Sequence, residues 1–232
     1  GTAERLAVAA SHMDGVELCG FHCHIGSQIF DAQPFVDAAE IMSEFCVGLY
    51  RNHGIKTKIL DLGGGFGVPY TDSDPELDVR STVRSIVDEV KRRFGDVALP
   101  AIMLEPGRSI VADAGLTVYT CTSVKNAGKT SYVAVDGGMP DNPRFALYEA
   151  SYKVRNVTRA AEEGTRLYTI AGRCCESGDL IQKNVSLPET KRGDFIAVET
   201  TGAYNYSMAS NYNRLPRPAV IMLDKNEEHI VV

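Results

Sequence analysis

Three times in the first 104 residues a helix-length run is followed by a short apolar run that stops at a polar or glycine-rich loop: 3–11 then 16–24, 35–52 then 58–62, and 79–94 then 101–104. Strands joined through helices enter the sheet from the same end, so this rhythm predicts βα units with a parallel sheet or barrel. A closed eight-stranded barrel needs about 250 residues, and three units are too few to close one. After residue 115 the rhythm changes. Residues 116–125, 131–135, 151–158, 167–172, 194–200 and 219–223 are short β-rich runs punctuated by Asn126-Ala127-Gly128, Asp136-Gly137-Gly138 and Arg192-Gly193-Asp194. Such a pattern predicts an antiparallel β domain. The expected fold class is α/β, with a partial β/α barrel over 1–115 and a C-terminal β domain over 116–232.

Composition removes several function classes. The net charge of -6 and the scattered arginines and lysines give no basic stripe for nucleic acid or anionic membranes. No apolar run has the length of a membrane span, and the first twelve residues hold Glu4 and Arg5 without a secretory core, so a cytoplasmic protein is expected. The chain opens at Gly1, which reads as processing or as a start inside a longer protein. Its six cysteines have no regular spacing and read as reduced thiols.

The stretch Cys19-Gly20-Phe21-His22-Cys23-His24 raises the question of zinc. On a strand, alternate side chains take opposite faces, so His22 and His24 share one face while Cys19, Phe21 and Cys23 share the other. No convergent set of four ligands results, and no metal is expected. His22 reads as a packed barrel residue, whereas His24 ends the strand beside a Gly-Ser-Gln loop, where α/β proteins keep their chemistry. The second strand ends in Gly63-Gly64-Gly65, which lacks the Walker A and dinucleotide spacings but lets backbone amides approach a small anion. The third ends in Glu105-Pro106-Gly107-Arg108, before a helix-capable run to Ala114. A flat imidazole, glycine amides and a carboxylate at neighbouring strand ends answer the needs of a phosphorylated heteroaromatic cofactor, and pyridoxal phosphate is the one that depends on a protonated ring nitrogen.

Six motifs then fall in order: HIGSQ at 24–28, LGGGFG at 62–67, EPGR at 105–108, DGGMPDNPRFALY at 136–148, CESGD at 175–179 and GAYNYSMASNYN at 202–213. In order and approximate spacing they resemble the diaminopimelate decarboxylase family, over nearly the whole chain. The resemblance implies the last three βα units of a (β/α)8 pyridoxal-phosphate barrel of the alanine racemase type, followed by its β domain. It also implies a homodimer with shared active sites. It makes His24 the ring-stacking residue, Ser27, Gly64 and Gly65 phosphate contacts, Glu105 the pyridine-nitrogen partner, and Pro106, Gly107 and Arg108 part of the cofactor segment. Arg108, Arg144 and Tyr148 resemble the residues that hold the substrate's distal carboxylate, with Glu176 near its distal ammonium and Tyr204 touching cofactor and substrate. Cys175 matches the proton donor that reaches across from the other subunit.

The implied reaction is decarboxylation of meso-2,6-diaminopimelate to L-lysine and CO2, the last step of lysine biosynthesis. Arg144 beside Arg108 favours a distal carboxylate over the distal ammonium of ornithine, and so diaminopimelate over ornithine or arginine, because guanidinium groups grip carboxylates bidentately. Related decarboxylases of basic amino acids remain the alternative. The family's Schiff-base lysine lies well before HIGSQ, and no lysine here has a matching context. That leaves a catalytically silent regulatory relative as a further alternative. Residues 173 and 174 are Arg and Cys where the family more often has Pro and an aliphatic residue, which bears on the loop that delivers Cys175.

Overall fold

A computed structural model describes residues 1–224 and 227–230. The chain divides into two compact units, one comprising Gly1–Pro69 and Pro75–Ile110, the other Tyr70–Asp74 and Val111–Val232.

In the first unit, α1 (Thr2–Ser11), β1 (Gly20–His22), α2 (Gln33–His53), β2 (Ile59–Asp61), α3 (Val79–Phe94) and β3 (Ala101–Met103) realise the expected alternation. The three strands are parallel in the order β1-β2-β3, with His22, Asp61 and Met103 in register at their ends. Local chemistry sets the helix limits. Pro34 opens α2, where its missing N–H is no loss, and Gly54 closes it at φ 70°. Asp78 caps α3 by accepting from the Ser81 N–H at 3.0 Å, and Lys91, Arg92 and Arg93 crowd its C-terminal turn. The core lies on the helix side of the sheet, where Phe35, Ala39 and Cys46 of α2 meet Ile86, Val90 and Phe94 of α3 over Leu60, Leu62 and Phe66. Phe21, Cys23, Ile102 and Leu104 also pack against this cluster. The other sheet face bears His22 and Met103, both exposed. His22 is therefore not a packed residue. Strand alternation puts it opposite Phe21, on the face that the helices do not cover.

The second unit is built on a six-stranded sheet in the order β6-β9-β4-β5-β7-β8. Its strands are β4 (Thr117–Ala127), β5 (Thr130–Val135), β6 (Val154–Asn156), β7 (Arg166–Ala171), β8 (Leu180–Leu187) and β9 (Phe195–Val198). All neighbours are antiparallel except β5 and β7, which run parallel, so the sheet is mixed where a purely antiparallel one was expected. Tyr119, Cys121, Val133, Val135, Tyr168, Ile170, Ile181, Leu187, Ile196 and Val198 form its core. A hairpin of β10 (Ile221–Asp224) and β11 (Glu227–Ile230) is a separate two-stranded sheet. The helix-capable run after Glu105 is only a single turn, α4 (Arg108–Val111), and α5 (Arg144–Tyr148) was not foreseen. No helix among the described residues is long and apolar enough to cross a membrane.

Candidate active site

In the first unit the loops that follow β1, β2 and β3 are stitched together beyond the strands. Cys23 N–H donates to the Asp61 carbonyl at 3.0 Å, Leu62 N–H to Met103 at 3.0 Å, and Glu105 N–H to Gly63 at 2.8 Å. This closeness is what demands glycine. A Cβ on Gly64 would sit 2.1 Å from the Glu105 carbonyl oxygen, and one on Gly65, at φ 106°, would sit 2.3 Å from that of Gly26. Sterics thus fix the triplet before any ligand is considered. The Gly64 N–H is directed at His24 Nδ1, 3.3 Å away, which assigns the ring proton to Nε2 when the imidazole is neutral. His24, Ser27 and Glu105 are exposed, and Pro106, Gly107 and Arg108 are half-buried. Because α4 is a single turn, amides rather than a helix dipole are what it offers an anion.

Two residues that the sequence reading did not assign to the site join this face. His22 Nε2 lies 3.2 Å from Glu105 Oε2. Asp61 Oδ1 accepts the Gly63 N–H at 2.9 Å. One ligand atom from each of His22, Asp61 and Glu105 falls within 4.8 Å of the others, with the first and last exposed. Strand alternation carried the signal, since His22 and Asp61 end neighbouring strands in register. A cavity of about 410 Å³ elsewhere in this unit is lined by residues such as Phe30, Asp31, Glu76 and Asp78 and touches none of these groups.

In the second unit Arg144 is only 7% exposed, which excludes a solvated surface charge, while Tyr148 at the end of the same short helix is 66% exposed. Four residues apart on one helix, the two occupy the same face, Arg144 at its buried start and Tyr148 at its exposed end. Cys175 and Glu176 are exposed on the loop between β7 and β8, and the Cys175 N–H donates to Asn213 Oδ1 at 2.7 Å. Two adjacent cysteines are most often buried small residues; Cys175 is not. Its neighbour Cys174 differs, because burial first and then the Asp179 carboxylate push its thiol up to about 11. Tyr204 is 41% exposed between buried Ala203 and Asn205.

Asp179 organises this loop. It is 3% exposed, accepts from the Met139 N–H at 2.6 Å and from the Cys174 N–H at 2.7 Å, and so ties the 136–142 segment to the cysteine loop. A Cβ on Gly172 would come within 2.2 Å of its carboxylate, and one on Gly138 within 2.4 Å. The acid at the end of CESGD, together with glycines on both neighbouring segments, was its trace in the sequence.

Residues 2–112 match the family model described as pyridoxal-dependent decarboxylase, pyridoxal binding domain. The diaminopimelate decarboxylase of Bacillus subtilis (strain 168) is 47% identical over 236 residues, covering all of this chain and 54% of the relative. The crystal structure of diaminopimelate decarboxylase from M. jannaschii in co-complex with L-lysine superposes with a TM-score of 0.92 at 34% identity, over 99% of this chain and 52% of that one. The lysine/ornithine decarboxylase of Vibrio vulnificus, at 22% identity and TM-score 0.78 over 93% of this chain and 57% of that one, shares the fold. The chain spans about half the length of the relatives it matches. Its first 112 residues thus match the pyridoxal-binding domain of the pyridoxal-dependent decarboxylases, and over its whole length it is similar to the diaminopimelate decarboxylases.

Proposed function

We propose that this chain is part of a pyridoxal-phosphate-dependent carboxy-lyase that converts meso-2,6-diaminopimelate to L-lysine and CO2, the last step of lysine biosynthesis. The observation that carries this reading is Arg144: a buried guanidinium that belongs to none of the described ion pairs of its unit, which join Lys153 to Asp72, Arg155 to Glu199, Arg159 to Glu162 and Asp194, and His229 to Glu227. A buried cation without an acid is costly, and a substrate carboxylate would offset that cost. The similarity of the full chain to diaminopimelate decarboxylases supports the choice of substrate.

The first unit would supply noncovalent contacts to pyridoxal phosphate. Gly64 and Gly65 would offer backbone amides to the cofactor phosphate, with the exposed Ser27 on the loop after β1 as a further contact. His24 offers its ring face, and Glu105 offers a carboxylate to keep a ring nitrogen protonated. Pro106, Gly107 and Arg108 continue that cofactor segment. When bound, the cofactor supplies the electron sink that decarboxylation needs. No lysine lies in the loops 22–28, 61–67 or 103–109, so these loops provide noncovalent contacts only.

In the second unit Arg144 and Tyr148 would hold the distal carboxylate, a role proposed also for Arg108 of the first unit, and Glu176 would neutralise the distal ammonium. Tyr204 would contact both substrate and cofactor. The exposed Cys175 Sγ–H would return a proton to the carbon that lost CO2, acting in a homodimer on the site of the other subunit. By domain, 1–115 would be the closing part of the barrel and 116–232 its β domain, in a cytoplasmic enzyme. The test is CO2 release by the whole gene product loaded with pyridoxal phosphate, offered meso-diaminopimelate, L-ornithine and L-arginine in turn. Turnover of the first alone is expected. Turnover of ornithine or arginine instead would reassign the substrate, and none at all would favour a silent relative.

A further inference from the structure

The surroundings of Arg144 show how its guanidinium is held. Nη1 donates to the Tyr152 hydroxyl at 3.3 Å, and the guanidinium carbon lies 4.3 Å from the centroid of the Tyr70 ring and 5.5 Å from that of Tyr152. The two rings meet edge to face at 5.4 Å, and both residues are about 5% exposed or less. Each hydroxyl then reaches the segment around Tyr204. Tyr152 O–H donates to Asn205 Oδ1 at 3.3 Å, and Tyr70 O–H donates to the Ala203 carbonyl at 3.2 Å. Asn205 is 3% exposed, and its Nδ2 has no hydrogen-bond partner, so Oδ1 is what engages the network. Burial holds the Tyr152 phenol above its usual pKa, with Arg144 opposing, which keeps the hydroxyl a donor to Asn205 while its lone pair faces the cation.

We propose that Tyr152, with Tyr70 and Asn205, is a positioning element that fixes Arg144 for a ligand carboxylate and ties it to the segment bearing Tyr204. For the identity of the ligand this rests on the function proposed above. An arginine side chain has many rotamers, and one already fixed against two rings and a hydroxyl surrenders less freedom when an anion arrives. Tyr152 thus acts through Arg144 without touching substrate. Its loss weakens carboxylate-bearing ligands selectively and leaves plain diamines alone.

The experiment compares wild-type and Tyr152→Phe versions of the cofactor-loaded whole gene product. Calorimetric titration is made with L-lysine, which has a carboxylate, and with cadaverine, which has the same two amines without one. The expected result is about a tenfold loss of L-lysine affinity with cadaverine unchanged. In turnover, KM for meso-diaminopimelate rises by a similar factor while kcat stays within twofold. Equal losses for both ligands, or no loss for L-lysine, would overturn the proposal. Should Tyr152→Phe fail to fold, Asn205→Ser, which releases the far side of the hydroxyl, is expected to move L-lysine in the same direction by about threefold; no selective change there overturns it too. Absence of turnover in the wild type bears on the proposed function alone, because the two titrations still read the scaffold.

Discussion

The two units hold their chemistry in different ways. In the first, His22, His24 and Glu105 stand open to solvent, and their placement comes from backbone: three parallel strand ends locked so closely that residues 64 and 65 admit no side chain. In the second, Arg144 and Asp179 are buried and are held by other side chains or hold backbone themselves. Side-chain changes should therefore be cheap in the first unit and costly in the second, with glycine replacements reversing the order.

The largest effect is expected from Gly64→Ala. Its Cβ would strike a carbonyl at 2.1 Å, backbone that cannot swing aside, so a loss of about 3 kcal/mol is expected by urea denaturation, along with at least tenfold weaker pyridoxal phosphate binding. A mild effect would mean that the strand ends are not rigidly locked. Asp179→Ala follows at about 2 to 3 kcal/mol, since it strands the amides of Met139 and Cys174. If it proved neutral, side-chain anchoring in the second unit would be refuted.

Asp194→Asn is smaller and depends on pH. Burial alone would raise the Asp194 pKa, but hydrogen bonds from Asn156, Arg159 and the Lys191 amide bring it below the ordinary carboxylate value. With the folded pKa below the unfolded one, its stabilisation is present above the ordinary carboxylate range and is lost as pH falls through the folded value. The variant should lose about 1 kcal/mol near neutrality and show a flatter decline in stability below about pH 5. An unchanged pH profile would assign the acid sensitivity elsewhere. Least of all, His22→Gln should move stability by less than about 0.5 kcal/mol, because both it and Glu105 are more than half exposed. A loss well above that would blur the contrast between the units.

Much of the fold was legible because periodicity and caps act locally. The third helix was read at 79–94, as it stands, from the helix-then-strand rhythm, and the structure shows the Asp78 cap and the closing Gly95 that set those limits. Pairing is not local, and there the reading fell short. Nothing in residues 130–135 or 166–171 states that the two strands run parallel. The strand Leu180–Leu187 was missed because its middle, Gln182-Lys183-Asn184, is polar and Asn184 sits at φ 57°, breaking the alternation that marks a strand. At the site, motif residues were visible one by one, whereas their supports, Tyr152, Asn205, Asp61 and Asp179, are ordinary residue types that acquire meaning only from what folding places beside them.

The pairing of β4, one of the two central strands of the second unit, has a temporal consequence. β4 pairs on one side with its immediate successor β5, but on the other with β9, so that Thr117 lies opposite Val198. On a ribosome moving at about 5 to 20 residues per second, that second edge stays open for roughly 4 to 16 seconds after its own strand has emerged. An unpaired edge is a template for any other nascent strand. The vulnerable interval of this chain therefore falls in the making of its β unit, and the abundance of the protein in a cell depends on what shields that edge until residue 198 arrives.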